Sequence, residues 1–218
     1  MKHQASKYFD TDSSLELYLP LNEDSGTSKK DYSIFNRTST ATVGAIVNID
    51  HPYISGGYCT QFNGSTGYIS TDSNITFTDT EYFTFKFWTK CTQNTVNMPF
   101  IHHGIASLTQ RCIIIYRLAN TESFNIIYND GITPRTVQIP NFFTSFNNIW
   151  VKCSVQIDFN NGIIKVYRNN SLFTTPVTIK PILFPSQNLK IYLGYYSFTN
   201  VYLTGKLADV QIYNRLIE

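Results

Sequence analysis

The sequence predicts an all-β fold, a sandwich of two antiparallel sheets, on three observations. The composition is the first: 24 Ile, 25 Thr, 15 Tyr and 16 Phe stand against 6 Ala and 5 Glu in 218 residues. β-Branched and aromatic side chains suit a pleated, half-buried surface, whereas Ala and Glu favour helices. The second is period-two alternation of apolar and polar residues, recurring from residue 15 to residue 213. That period puts one face of a strand into a core. The third is the regular interruption of these short segments by turn-forming residues, the pattern of a sandwich. A helical bundle and a doubly wound α/β enzyme are excluded on the same grounds.

The elements follow in order. Residues 1–14, MKHQASKYFDTDSS, show no strand pattern and read as a flexible tail ahead of one domain, 15–218. Leu15, Leu17, Leu19 and Leu21 alternate with Glu16, Tyr18 and Pro20, and Pro20 marks a sheet edge or strand end. Residues 22–40 read as a long polar loop. Strands are expected at 42–49 and 57–62, and GSTG at 64–67 turns into a strand at 68–70. Phe83, Phe85 and Phe87 point one way, with Thr84, Lys86 and Trp88 opposite. Further strands are expected at 98–103, 111–117, 123–128 and 132–138. In 149–157 the alternation places Ile149, Val151, Cys153, Val155 and Ile157 on one face. Asn169-Asn170 tolerates positive φ and makes a hairpin of 162–168 and 171–175. Strands at 189–193 and 201–213 close the set, RLIE at the C-terminus reading as one turn. Trp88 and Trp150 are expected in the core.

Charge and cysteine usage narrow the functions. The net charge is +2, and the 17 basic residues are scattered, with Lys29-Lys30 the only adjacent pair. Nucleic-acid binding calls for a basic patch or stripe, so none is expected. No apolar run approaches the ~18 residues of a spanning helix, so no membrane insertion is expected. Residues 1–14 contain no apolar signal region. The protein is therefore expected to act where it is made or to leave as part of a larger assembly. Cys59, Cys91, Cys112 and Cys153 follow no metal-binding spacing and are expected as reduced, buried thiols.

Catalysis finds no support. Glycoside hydrolysis uses two nearby carboxylates, but Glu16, Glu23, Glu81, Glu122 and Glu218 are isolated. His102 and His103 are consecutive on a strand, so they point to opposite faces and do not share a metal. The loop NEDSGTSKKD, residues 22–31, is the calcium candidate, since Asn22, Glu23, Asp24 and Asp31 offer the oxygens that calcium takes. Aromatic pairs beside amides suggest a glycan site, because sugar rings stack on flat side chains and their hydroxyls pair with amides. Tyr195-Tyr196 with Asn200 is one such group, and Phe142-Phe143 among Asn141, Asn147 and Asn148 is another.

Five ordered segments carry a resemblance. They are LYLPLNEDSGTSKKDYS (17–33), GYCTQFNGSTGYIS (57–70), FTFKFWTK (83–90), IWVKCSVQIDFNNGIIKVYRNN (149–170) and GKLADVQIYNR (205–215). Together they resemble the laminin-G-like branch of the concanavalin A-like lectin/glucanase superfamily. The resemblance implies a jelly-roll sandwich and, where that family binds calcium, a structural ion between the 22–31 loop and Asp209 of the last strand. Ala208 stands where the family has a further acid, and Asn169-Asn170 replaces its Asp-Gly turn. The glucanase carboxylate motif is absent. The expected function is a non-catalytic, lectin-like module that binds a glycan or glycoprotein through Phe142, Phe143, Tyr195, Tyr196 and Asn200. Calcium would be held by Asn22, Asp24, Asp31 and Asp209. The alternative is a structural or adhesion protein, a receptor-binding subunit on the surface of a phage or virus particle.

Overall fold

The computed structural model describes residues 12–77, 82–104, 112–129, 133–181 and 187–217. In chain order its strands are β1 (Leu15–Leu19), β2 (Ser28–Lys30), β3 (Thr38–Ala41), β4 (Ala45–Ile49), β5 (Tyr58–Asn63), β6 (Ile69–Thr71) and β7 (Ile75–Phe77). Then come β8 (Tyr82–Cys91), β9 (Met98–His103), β10 (Cys112–Arg117), β11 (Phe124–Asn129), β12 (Pro134–Ile139), β13 (Val151–Asp158) and β14 (Ile163–Arg168). The last are β15 (Ser171–Leu172), β16 (Val177–Thr178), β17 (Gln187–Leu189), β18 (Ile191–Leu193), β19 (Tyr195–Tyr196), β20 (Val201–Tyr202) and β21 (Thr204–Tyr213).

Two large antiparallel sheets form the sandwich. One has nine strands in the order β15-β14-β13-β8-β21-β5-β4, with β1 on β21 and β16 on β14. The other has eight in the order β12-β11-β10-β9-β18-β6-β3-β2. The alternation that predicted β8 and β13 holds in register: Phe83, Phe85 and Phe87 lie opposite Ile157, Val155 and Cys153. All six are fully buried. Phe87 meets Phe100 of the facing sheet at 5.4 Å between ring centroids, and Phe100 stacks on Phe124 at 6.3 Å. The turn at Asn169 and Asn170 has φ of 51° and 68°, as that hairpin requires.

One edge of β21 serves two partners. Thr204–Leu207 pairs with β5 and Val210–Tyr213 with β1. The handover falls on a bulge where Asp209 has φ 55° and its N–H donates to Pro20 O at 3.0 Å. A bulge leaves one residue out of the ladder and bends the strand.

Several expectations are corrected. The 22–40 loop contains β2 and β3, which extend the eight-stranded sheet, because Lys29, Ser39 and Ala41 turn inward. Residues 12–14 are tied rather than free: Asn214 N–H donates to Ser14 O at 2.9 Å and Arg215 pairs with Asp12 at 2.5 Å. Residues 1–11 of the expected tail lie outside the described residues. Residues 215–217 form no helical turn. Ile149 is exposed, because the strand begins two residues later. Trp88 and Trp150 are half-buried on the outer face of the nine-stranded sheet, where Trp150 Nε1 donates to Asp50 at 3.2 Å. All four cysteines are free and buried.

The largest correction concerns Phe142 and Phe143. Neither has accessible surface, so neither can stack on a sugar. The backbone reverses around them at Asn141, Ser145 and Asn148, all with positive φ. Both rings then drop between the sheets, Phe142 at 4.7 Å from Phe124 and Phe143 at 5.9 Å from Phe100. Arg168 seals them, its guanidinium 4.3 Å from the Phe173 ring and its Nη1 donating to Phe142 O at 2.8 Å. Full burial of each phenyl ring is worth about 1.5–3 kcal/mol, more than an exposed loop position offers.

Candidate functional site

Tyr195 and Asn200 belong to a surface cluster on the outer face of the eight-stranded sheet. β18 places Ile191 and Leu193 in the core, so Tyr192 between them faces out, opposite Ser70 and His102. The chain then turns at Gly194, where φ is 74° and an added Cβ would stand 2.5 Å from Phe62. Only glycine fits so close a backbone approach. β19 and β20 follow as a short hairpin, with Tyr195 opposite Tyr202 and Tyr196 opposite Val201. Its alternation splits the tyrosine pair. Tyr196 is buried on a small outer core with Cys112, Ile114 and Tyr116, and Tyr195 stays half-exposed. Tyr196 is thereby corrected from ligand contact to anchor of the hairpin, and burial pushes its phenol up to about 12.

Around Tyr195 the fold gathers Tyr68, Tyr192 and Tyr202, none of which the sequence reading singled out. Tyr195 stacks on Tyr68 at 4.9 Å and on Tyr202 at 4.8 Å. Tyr68 and Tyr202 are 6.5 Å apart. In a column the outer rings would be about twice as far apart as each is from the middle one. These three therefore form a triangle, and Tyr192 meets Tyr195 edge-on at 5.8 Å. All four are half-exposed. Tyr195 Oη donates to Asn200 Oδ1 at 2.7 Å, and Asn200 holds the loop with φ 52°. Burial and then neighbouring phenols raise the pKa of Tyr192 and Tyr195, so the hydroxyls are neutral donors. Beneath them, His102 Nδ1 sits 3.4 Å from Ser197 Oγ.

The residues expected to bind calcium have other partners. Asp31 is fully buried. Its Oδ1 accepts from the N–H of Tyr18 and Ser33, both at 2.9 Å. Its Oδ2 accepts from Ser33 Oγ at 2.8 Å and Arg37 N–H at 3.1 Å. Asp209 accepts from Tyr18 Oη at 3.0 Å and from Tyr53 Oη. Tyr18 thus contacts one acid through its backbone and the other through its phenol, and its whole side chain separates them. Asp24 is exposed beside Ser25, and Asn22 is half-buried. Among the described residues no group of three or more His, Cys, Asp or Glu could hold a metal. The donor set does not fit a calcium ion shared by Asp31 and Asp209.

Asp31 instead fixes the β1–β2 connection. Asp31→Ala strands buried N–H groups, each worth about 1–3 kcal/mol when unpaired. It should destabilise by about 2–3 kcal/mol in thermal unfolding, and chelator should leave the melting temperature of either protein unchanged. A chelator-induced drop in the wild type alone would restore the calcium assignment.

The described glutamates are each paired with a different cation: Glu16 with Arg37 at 3.2 Å, Glu23 with Lys29 at 3.6 Å and Glu122 with Arg117 at 3.2 Å. Glu81 and Glu218 lie outside the described residues.

Among solved structures, the chain is similar to botulinum neurotoxin binding domains. One comes from work on cell entry of type C through two ganglioside molecules, with 14% identity and TM-score 0.68, covering 94% of this chain and 49% of that one. The binding domain of type DC in complex with rat synaptotagmin II gives 13%, 0.69, 94% and 49%. The receptor-binding domain of type D gives 16%, 0.69, 94% and 50%. The chain spans about half the length of these proteins, and at such identity the likeness shows the fold alone. No curated protein matches the chain by sequence. The family model described as the concanavalin A-like lectin/glucanases superfamily matches residues 63–218, from β5 through the tyrosine cluster to the last strand, and the chain belongs to that superfamily.

Proposed function

We propose that the protein is a non-catalytic binding module that recognises a glycan, free or on a glycoprotein, on the Tyr68–Tyr192–Tyr195–Tyr202 cluster. The observation that carries this reading is the cluster itself: four half-exposed phenol rings, two of them stacked on Tyr195, with the Asn200 amide at the rim. Exposed aromatics outside the core have little reason within the fold itself to be gathered. A pyranose offers an apolar C–H face to such rings and hydroxyls to the phenols and amide around them. Several of the similar toxin domains bind ganglioside, synaptotagmin or SialylT, which accords with a receptor-recognition role for this fold. The pairing of each described glutamate with its own cation accords with binding without hydrolysis.

A glycan array probed with the wild type should yield a retained sugar class. Tyr195→Ala and Tyr202→Ala should each weaken its binding by about tenfold or more, the scale of a central tyrosine contact, with melting temperatures near the parent's. An array with no retained glycan, or alanine variants that bind as the parent does, would overturn the reading.

A further inference from the structure

We propose that the β19–β20 hairpin is an acid-released clasp over the tyrosine cluster: a proton on His102 opens the hairpin, and the cluster lets go of its ligand. The release of ligand rests on the glycan reading above, whereas the opening of the hairpin does not.

His102 lies under the hairpin. It stands on β9 opposite Tyr192 of β18 and Ile114 of β10. The Tyr192 ring stacks on it at 5.8 Å, and the Tyr196 ring meets it edge-on at 5.4 Å. The imidazole is fully buried. Its Nδ1 has one partner, Ser197 Oγ at 3.4 Å, longer than a good hydrogen bond. Its Nε2 is buried without a partner. Gly104 closes in that nitrogen, since an added Cβ there would stand 2.8 Å from it. A neutral imidazole has one N–H to place, and an imidazolium has two. The closed hairpin offers no acceptor for the second, and a buried charge without pairing is costly. The two phenol rings supply some cation–π attraction, but burial outweighs it and holds the imidazole down to about 4.

No neighbour supplies a compensating charge. The titratable groups around His102 are Tyr192, Tyr196, Cys112 beside Gly104, and His103 next along β9. Burial raises both phenols and pushes the Cys112 thiol up to about 11. Burial, then His102, pushes His103 down to about 3. All four are therefore neutral between pH 7.5 and 5.5. Among the described residues no carboxylate is bonded to His102.

The hairpin can open by itself. β19 and β20 form a two-residue ladder outside both large sheets. Gly194 N–H on Phe100 O at 3.0 Å and Leu203 N–H on Gly194 O at 2.8 Å hold its stem, and Tyr196 seats it on the small outer core. Units this small open at lower free energy than the whole fold. Opening carries Tyr195 and Tyr202 away from Tyr68 and Tyr192, so the cluster exists only in the closed form. In the open form His102 recovers an ordinary value near 6.5. The open form then binds protons that the closed form refuses, so the clasp is firm above pH 6.5 and loosens as pH falls toward 4. From pH 7.5 to 5.5 the open-to-closed ratio should rise about tenfold.

The test uses the whole chain, first without ligand and then on a glycan array. Hydrogen exchange, corrected for its intrinsic pH dependence, should show protection of the Leu203 N–H falling about tenfold from pH 7.5 to 5.5. The Val155 N–H on β13 should be better protected at both values. His102→Phe should keep Leu203 protection level across that range, and His102→Gln takes its place if the phenylalanine variant fails to fold. Glycans retained by the wild type at pH 7.5 should be weakened at pH 5.5 and kept by the variant. Level Leu203 protection in the wild type, or the same fall in the variant, would overturn the clasp. Equal retention of a glycan by the wild type at both values would overturn its release by acid. An array with no retained glycan at pH 7.5 would overturn the glycan reading instead, and Leu203 protection would still decide the clasp.

Discussion

Phe85→Ala should remove about 3–5 kcal/mol of stability, the cost of deleting a fully buried phenyl ring and leaving its cavity. Phe85 has no accessible surface. It stands at the middle of the nine-stranded sheet, opposite Val155 on one side and Ile212 on the other, and its ring lies 6.0 Å from Phe83. Neighbouring strands are held by their ladders and cannot close in on the void. For a chain of this length such a loss corresponds to a fall in melting temperature of about 10 °C. Lys86→Ala, one residue along and on the opposite face, should change it little. A Phe85→Ala protein that melts with the parent would remove Phe85 from the core and with it the facing assignment of β8 and β13.

That facing was legible because period two leaves no freedom: once Phe83, Phe85 and Phe87 point inward, Lys86 and Trp88 point out. The Asn169-Asn170 turn was legible for a similarly local reason, its tolerance of positive φ. Elements whose partners lie far along the chain were not. β2 and β3 lack apolar alternation because they sit at a sheet edge, where Lys29 is buried against Glu23 rather than in oil. Phe142 and Phe143 share their neighbourhood with exposed amides, and only the fold shows a gap between the sheets beneath them. At the candidate site the sequence carried Tyr195 and Asn200, five residues apart and hydrogen-bonded. Tyr68 joins them only through the β6–β18 pairing. A local signal for Tyr192 was present in Ile191-Tyr192-Leu193, whose alternation turns the phenol outward. The pair His102 and His103 was correctly placed on opposite faces, yet both are buried, since the β19–β20 hairpin covers the outer one.

Those two histidines should make stability fall on acidification before carboxylates with lowered pKa values titrate. His102 lies between the rings of Tyr192 and Tyr196, at 5.8 and 5.4 Å. His103 sits on the core side, opposite Ile113 and Ile191. Burial pushes the His102 imidazole down to about 4. Burial, followed by the neighbouring His102, pushes His103 down to about 3. In the unfolded chain both recover an ordinary value near 6.5. Below that pH the unfolded state binds protons that the folded state refuses, so stability rises with pH across the window and is lost as pH falls from about 6.5 toward 4. Two groups of this kind amount to a loss on the order of 5 kcal/mol. Asp50, held down to about 2 by Lys206, Lys90 and Trp150 against its own desolvation, has the same sign but acts below the histidine window. Glu16 has the opposite sign, because burial raises it despite Arg37 and its protonation on acidification favours the fold. Urea unfolding at pH 7.5, 6 and 5 should therefore show a steep fall before any carboxylate with a lowered pKa titrates. His102→Phe keeps a ring between the two tyrosines and should remove part of that slope without abolishing the fold. A stability that stays level from pH 7.5 to 5, or a His102→Phe protein with the parent's full slope, would show that these imidazoles accept protons in the folded state.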